Sequence, residues 1–107
     1  MHAIHDPTAF VELESRYRDK VTNAGRGGLL VQTFVDERQH SYLTDADYLT
    51  ALAALVDWID HGRKPTPATV AAMCPPIQKQ VGGRCSFVPA FWPKAYFSRV
   101  YPRNVEE

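Results

Sequence analysis

The sequence predicts an α/β fold in which an amphipathic helix joins two parallel strands. Three observations predict it: the apolar run Met1 to His5 that stops at Asp6-Pro7, the helical spacing of apolar residues from Thr8 to about Asn23, and a second apolar run, Leu29 to Val35. Strand, helix and strand within about 35 residues make a right-handed βαβ unit.

Each element has its own local grounds. A short polar residue followed by Pro is a favoured helix start, so Asp6 is expected to cap a helix with Pro7 in its first turn. From Thr8, the residues Phe10, Leu13, Tyr17 and Val21 recur at helical spacing, with Glu12, Glu14, Arg16, Arg18 and Lys20 between them. Gly25, Gly27 and Gly28 stop that helix, and Leu29 to Val35 has the composition of a strand buried on both faces. Thr44, three residues before Asp47, makes a capping-box-like start to a second helix that runs to His61 and ends at Gly62 and Pro65. Its stripe of Leu49, Leu52, Val56 and Ile59, broadened by Leu55 and Trp58, is expected to cover a sheet face. Thr66-Pro67 opens a short third helix to Met73, after which Pro75, Pro76, Pro89, Pro93 and Pro102 are expected to interrupt any long element. The chain is thus read as residues 1–73, a βαβα unit, and residues 74–107, an irregular segment anchored by Phe87, Phe91, Trp92, Tyr96 and Phe97.

Composition narrows the function classes. The 107 residues are 45% hydrophobic and 22% charged, the balance of a globular domain or part of one. Twelve basic residues match twelve acidic ones, so no charge footprint points to nucleic acid. No run approaches the roughly 18 apolar residues of a membrane-spanning helix, and no basic region precedes an apolar core at the N-terminus. Two parallel strands leave edges and faces that two helices cannot cover, so further strands are expected from an N-terminal portion or another chain, and self-association through the strand edge is open.

Cys74 and Cys85 flank a turn-rich stretch with Pro75-Pro76 and Gly82-Gly83. A disulfide, which would suit a secreted or periplasmic protein, and two buried free thiols are evenly matched from spacing alone. Neither cysteine has the near neighbour that a zinc site uses.

The chemistry follows from the βαβ geometry. Neighbouring strands lie roughly 4.8 Å apart, so Asp6 and His40, each just beyond the carboxyl end of a strand, come within reach of one another. Asp6 would accept the Nδ1 proton of His40, fixing its tautomer and leaving Nε2 to take a proton from a nucleophile. The α/β-hydrolase order is nucleophile, acid, histidine, and the last two stand here in that order.

With His5-Asp6-Pro7-Thr8 after one strand, Gln39-His40-Ser41 after the next, and a closing helix ending Asp57-Trp58-Ile59-Asp60-His61-Gly62-Arg63-Lys64-Pro65, residues 1–67 resemble the C-terminal end of an α/β-hydrolase serine enzyme of the esterase, lipase and prolyl-oligopeptidase-like group. The resemblance implies a C-terminal βαβα piece of an α/β-hydrolase sheet: two parallel strands, two main helices, one short helix and an irregular Pro-rich tail. It implies Asp6 as triad acid, His40 as triad base, and a small ester or amide as substrate, with no cofactor and no metal. The chain departs from the family in having no Gly-x-Ser-x-Gly elbow around Ser15, Ser41, Ser86 or Ser98, no glycine-rich oxyanion loop, and Gln39 where many relatives carry glycine. By itself the chain is therefore expected to form no acyl-enzyme.

Plainer readings stand beside these. Asp6 alone reads as a helix cap, His40 as a solvated loop residue and Ser41 as a turn residue; it is the partnership of Asp6 with His40 that favours chemistry. His2, His5, Asp6 and His40 could be read as metal ligands, but His2 and His5 point to opposite faces of a strand. His61 is expected to meet the helix C-terminal dipole. The alternative to a hydrolase fragment is a noncatalytic α/β interaction or dimerisation domain.

Overall fold

In the computed structural model, which describes residues 1–96, the two apolar runs pair as parallel strands β1 (His2–Ala3) and β2 (Phe34–Val35), His2 opposite Phe34 and Ala3 opposite Val35. The ladder outlasts the strands proper: His2 N donates to Thr33 O, Ile4 N to Val35 O and His5 N to Glu37 O. Both strands are shorter than their apolar runs. β1 offers pairing only over residues 2–5, so the chain before residue 33 has no strand to bond, and Gly27–Leu29 forms a 3-10 turn with Leu29 71% exposed.

The outer side of β2 is covered, contrary to the expectation of bare edges. Val35 bridges Phe87 in antiparallel fashion, Asp36 N donates to Ser86 O and Val88 N to Phe34 O. Thr33, Phe34 and Val35 are accordingly buried. Among the described residues β1 has a strand neighbour on one side only.

Helix α1 (Leu13–Asn23) starts later than the apolar spacing predicts. The Asp6 carboxylate takes the amides of Thr8 and Ala9, and Leu13, Glu14 and Ser15 follow through successive single turns, their amides donating to Phe10 O, Val11 O and Glu12 O. An aspartate that captures nearby amides competes with helix formation, so Asp6 caps a turn and not the helix. The buried line of this region is Val11 and Ser15, while Phe10, Leu13 and Tyr17 stay partly exposed. Gly25, at φ +72°, ends α1, with Gly25 N on Thr22 O and Arg26 N on Val21 O.

Helix α2 (Asp45–His61) has the expected bounds. Thr44 Oγ1 accepts from Asp47 N, and Gly62 closes the helix in the left-handed region with its amide on Trp58 O. Its buried face is not the leucine stripe, however. Ala46, Asp47, Thr50 and Ala54 are buried, whereas Leu49, Leu52, Val56 and Ile59 are 41%, 56%, 46% and 72% exposed. Small residues let α3 lie close along α2, and that contact takes the face which the larger side chains were expected to claim. Ala51, Leu55 and Trp58 line a cavity of about 250 Å³ shared with Met1, Val31 and Thr33 on the strand side.

Helix α3 (Pro67–Val81) corrects the expectation of a short helix ending at Met73 followed by irregular chain. Its start is fixed by a reciprocal box, Thr66 Oγ1 accepting from Thr69 N and Thr69 Oγ1 from Thr66 N. It continues through Pro75 and Pro76, which are exposed, while Val70 and Cys74 on the opposite side are buried. Tertiary burial of that side outweighs the backbone bonds that the prolines remove.

Cys74 and Cys85 form a disulfide, settling the evenly matched choice. The bond ties α3 to the segment that pairs with β2. Beyond it Phe91 packs edge-on against Phe34 at 5.1 Å, Trp92 covers the Arg18 guanidinium at 4.1 Å, and Tyr96 N donates to Ser15 Oγ. Phe97 and Pro102 lie outside the described residues. No helix among the described residues is long and apolar enough to cross a membrane.

Replacing both Cys74 and Cys85 with Ser removes a cross-link over 11 positions and is expected to lower stability by about 3 kcal/mol. Urea denaturation of the oxidised chain against the double variant measures the difference.

Candidate active site

The rim beyond the carboxyl ends of β1 and β2 carries the two residues singled out from sequence, and they meet. His40 Nδ1 lies 2.7 Å from Asp6 Oδ2, across a separation of 34 positions. The Asp6 side chain is 3% exposed and that of His40 49%.

Asp6 is fixed by its own turn. Pro7 has no amide hydrogen, so the first amides available to the carboxylate are those of Thr8 and Ala9, which donate to Oδ1 at 2.7 and 2.9 Å. That arrangement leaves Oδ2 turned to the ring. Burial works to raise the carboxyl pKa, but the Ala9 amide, the His40 ring and the Thr8 amide all favour the ionised form and together bring it down to about 2. Asp6 is therefore a carboxylate throughout the neutral range.

His40 sits in the irregular stretch between β2 and α2, braced at both ends. On the far side Tyr48 Oη donates to Ser41 O. On the near side Arg84 Nη2 donates to Asp36 O and to Glu37 Oε1, and Ser86 Oγ donates to the same Glu37 oxygen. Ser86 N in turn donates to Asp47 Oδ1, so the Asp47 carboxylate joins α2 to the segment beside β2, while its amide caps on Thr44. The disulfide anchors this bracing segment one residue from Arg84 and one from Ser86. Asp36, Glu37, Arg38, Gln39 and Arg84 line a polar cavity of about 400 Å³ just ahead of His40 in the chain.

Two of the other histidines go elsewhere. His5 Nε2 is 3.4 Å from Asp36 Oδ1, and His61 Nδ1 is 2.9 Å from Asp57 Oδ1 and 3.2 Å from Asp57 O in the last turns of α2. Among the described residues no group of three or more His, Cys, Asp or Glu side chains is placed to hold a metal ion.

His2 is the residue that sequence reasoning undervalued. Its ring, 14% exposed, stands with Nε2 at 3.0 Å from Ala9 O and 3.5 Å from Asp6 Oδ2, and Nδ1 at 2.8 Å from Glu14 Oε1. Its place on the first strand of the pair, four residues before the acid, was the available signal. Glu14, Glu37 and Arg84 carry no comparable signal, because their partners are distant in sequence.

No protein family, curated protein or solved structure matches this chain. Its own geometry defines it: a small α/β domain with a buried carboxylate bonded to a half-exposed imidazole beyond the ends of two parallel strands.

The lowered Asp6 pKa makes stability depend on pH with a defined sign. A carboxyl near 3.8 in the unfolded chain and about 2 in the folded one stabilises the fold above about pH 4, and that contribution is lost as pH falls through the interval between the two values. Asp6→Asn should flatten this part of the acid limb in denaturation curves taken from pH 5 to pH 2. His40→Ala should lower stability at neutral pH by about 1–3 kcal/mol, since it strips a bond from a carboxylate that stays buried.

Proposed function

We propose that this chain supplies the acid and the base of a serine hydrolase triad, acting on an ester or amide, with the nucleophilic serine contributed from outside this stretch. The Asp6–His40 bond is the observation that carries the reading. A carboxylate locked on Nδ1 holds the ring in one tautomer and offsets the charge it gains when Nε2 accepts a proton. Nε2 makes no hydrogen bond to the described residues, and the side chain has solvent access. His40 would take the hydroxyl proton as the serine attacks the carbonyl carbon, then return it to the departing alkoxide or amine. Asp6 remains ionised at each stage.

Two features of the fold support the same reading. The side of β1 away from β2 has no strand beside it among the described residues, which is where the rest of a parallel sheet would add. The exposed row Leu49, Leu52, Val56 and Ile59 offers apolar surface for further packing. In this reading the chain is the C-terminal βαβα piece of an α/β-hydrolase sheet.

That exposed row also favours the second reading, a noncatalytic interaction domain. Turnover decides between them. In the complete polypeptide bearing this stretch, hydrolysis of a p-nitrophenyl ester should be abolished by His40→Ala and reduced roughly 10³-fold or more by Asp6→Asn. Wild-type rates in either folded variant would remove the triad assignment.

A further inference from the structure

We infer that His2 and Glu14 are positioning residues for Asp6, forming a relay that reaches the acid–histidine pair from the far side of the carboxylate. The inference rests on the hydrolytic reading for its functional meaning, and on geometry for its existence. Asp6 Oδ2, the oxygen that meets His40, also lies 3.5 Å from His2 Nε2. The stronger link runs through one residue: Ala9 N donates to Asp6 Oδ1 at 2.9 Å, while the Ala9 carbonyl sits 3.0 Å from His2 Nε2. The ring of His2 thus grips the turn that grips the carboxylate.

Glu14 holds the ring from its other nitrogen. Glu14 Oε1 is 2.8 Å from His2 Nδ1, and its second oxygen accepts from Gln32 Nε2 at 3.0 Å; the same Gln32 nitrogen also reaches Glu14 O at 2.9 Å. The array joins β1, the Asp6 turn, the first turn of α1 and the residues leading into β2. Both oxygens are acceptors, so with a hydrogen on each ring nitrogen the imidazole donates at two points and cannot turn without losing one of them. A carboxylate that depends only on its own short turn could swing within it; one whose turn is pinned to two strands and a helix keeps Oδ2 where His40 needs it.

The test reads the Asp6–His40 bond directly, by exchange of the His40 Nδ1 proton with water in histidine-labelled chain followed by NMR, alongside the backbone amides of residues 33–35 as a measure of the core. His2→Phe keeps a ring and removes both nitrogens; Glu14→Gln keeps the shape and removes the charge. Both should speed exchange of the His40 proton, roughly fivefold or more in His2→Phe, with the core amides unchanged. His2→Gln, which returns an amide donor near the place of Nε2, should recover part of the effect. An unchanged His40 proton in the folded variants overturns the inference, as does acceleration of the proton and the core amides together, which would mark a role in the fold alone. Should His2→Phe fail to fold, the Glu14→Gln comparison decides. Failure of the hydrolytic reading is seen separately, as absence of ester turnover in the wild-type complete polypeptide. Where turnover is present, His2→Phe should lower kcat and leave KM unchanged.

Discussion

The parallel pairing of residues 2–5 with residues 33–37 is the constraint on which the rest of the molecule hangs. Parallel strands point their carboxyl ends the same way, so whatever follows each strand emerges on a common rim. Here the first strand is followed at once by an aspartate and a proline, and the second by a loop bearing a histidine. Antiparallel pairing, or a slip of one residue, would send Asp6 or His40 away from the other. The short ladder is reinforced on its outer side by residues 86–88, so β2 is held from both edges although its regular part is only two residues long.

Around this pairing the molecule uses buried or half-buried carboxylates as fasteners. Asp6 secures its own turn, Asp47 joins α2 to Ser86, and Glu37 collects Arg84 and Ser86. For Asp6 the two backbone amides and the His40 ring favour the ionised form enough to outweigh its burial. The apolar core is correspondingly modest, built from Ala3, Val11, Phe34, Val35, Ala46, Ala54, Val70 and Cys74. Small side chains predominate in it, and several of the larger apolar groups lie on the surface.

Much of the site was legible in sequence because its signals are local or follow from chain direction. Asp-Pro after an apolar run, Thr44 before Asp47 and Gly62 after His61 each mark a boundary through one side chain or one φ angle. The Asp6–His40 meeting follows once the two strands are taken as parallel neighbours. What was not legible depends on choices made between elements. Helix α2 carries a large apolar stripe and a small-residue stripe, and periodicity cannot tell which will face α3. The run Phe10, Leu13, Tyr17 and Val21 marks a helix but not its beginning, which Asp6 delays by taking two amides. Local rules also read Pro75-Pro76 as a stop, whereas burial of Val70 and Cys74 carries the helix past it. The partnership of His2 with Glu14 spans 12 positions and two elements, and no short pattern announces it.

The two prolines within α3 have a mechanical consequence. Pro75 and Pro76 lack amide hydrogens, so the carbonyls of Ala71 and Ala72 lose the rungs that would normally join one turn to the next. Stiffness along a helix comes from those rungs, and two missing in succession leave a weaker joint next to Cys74, where the sulfur bridge anchors α3. Bending of α3 is thus easiest beyond the bridge, while the bond from Ser86 N to Asp47 keeps the loop that steadies His40 tied to α2.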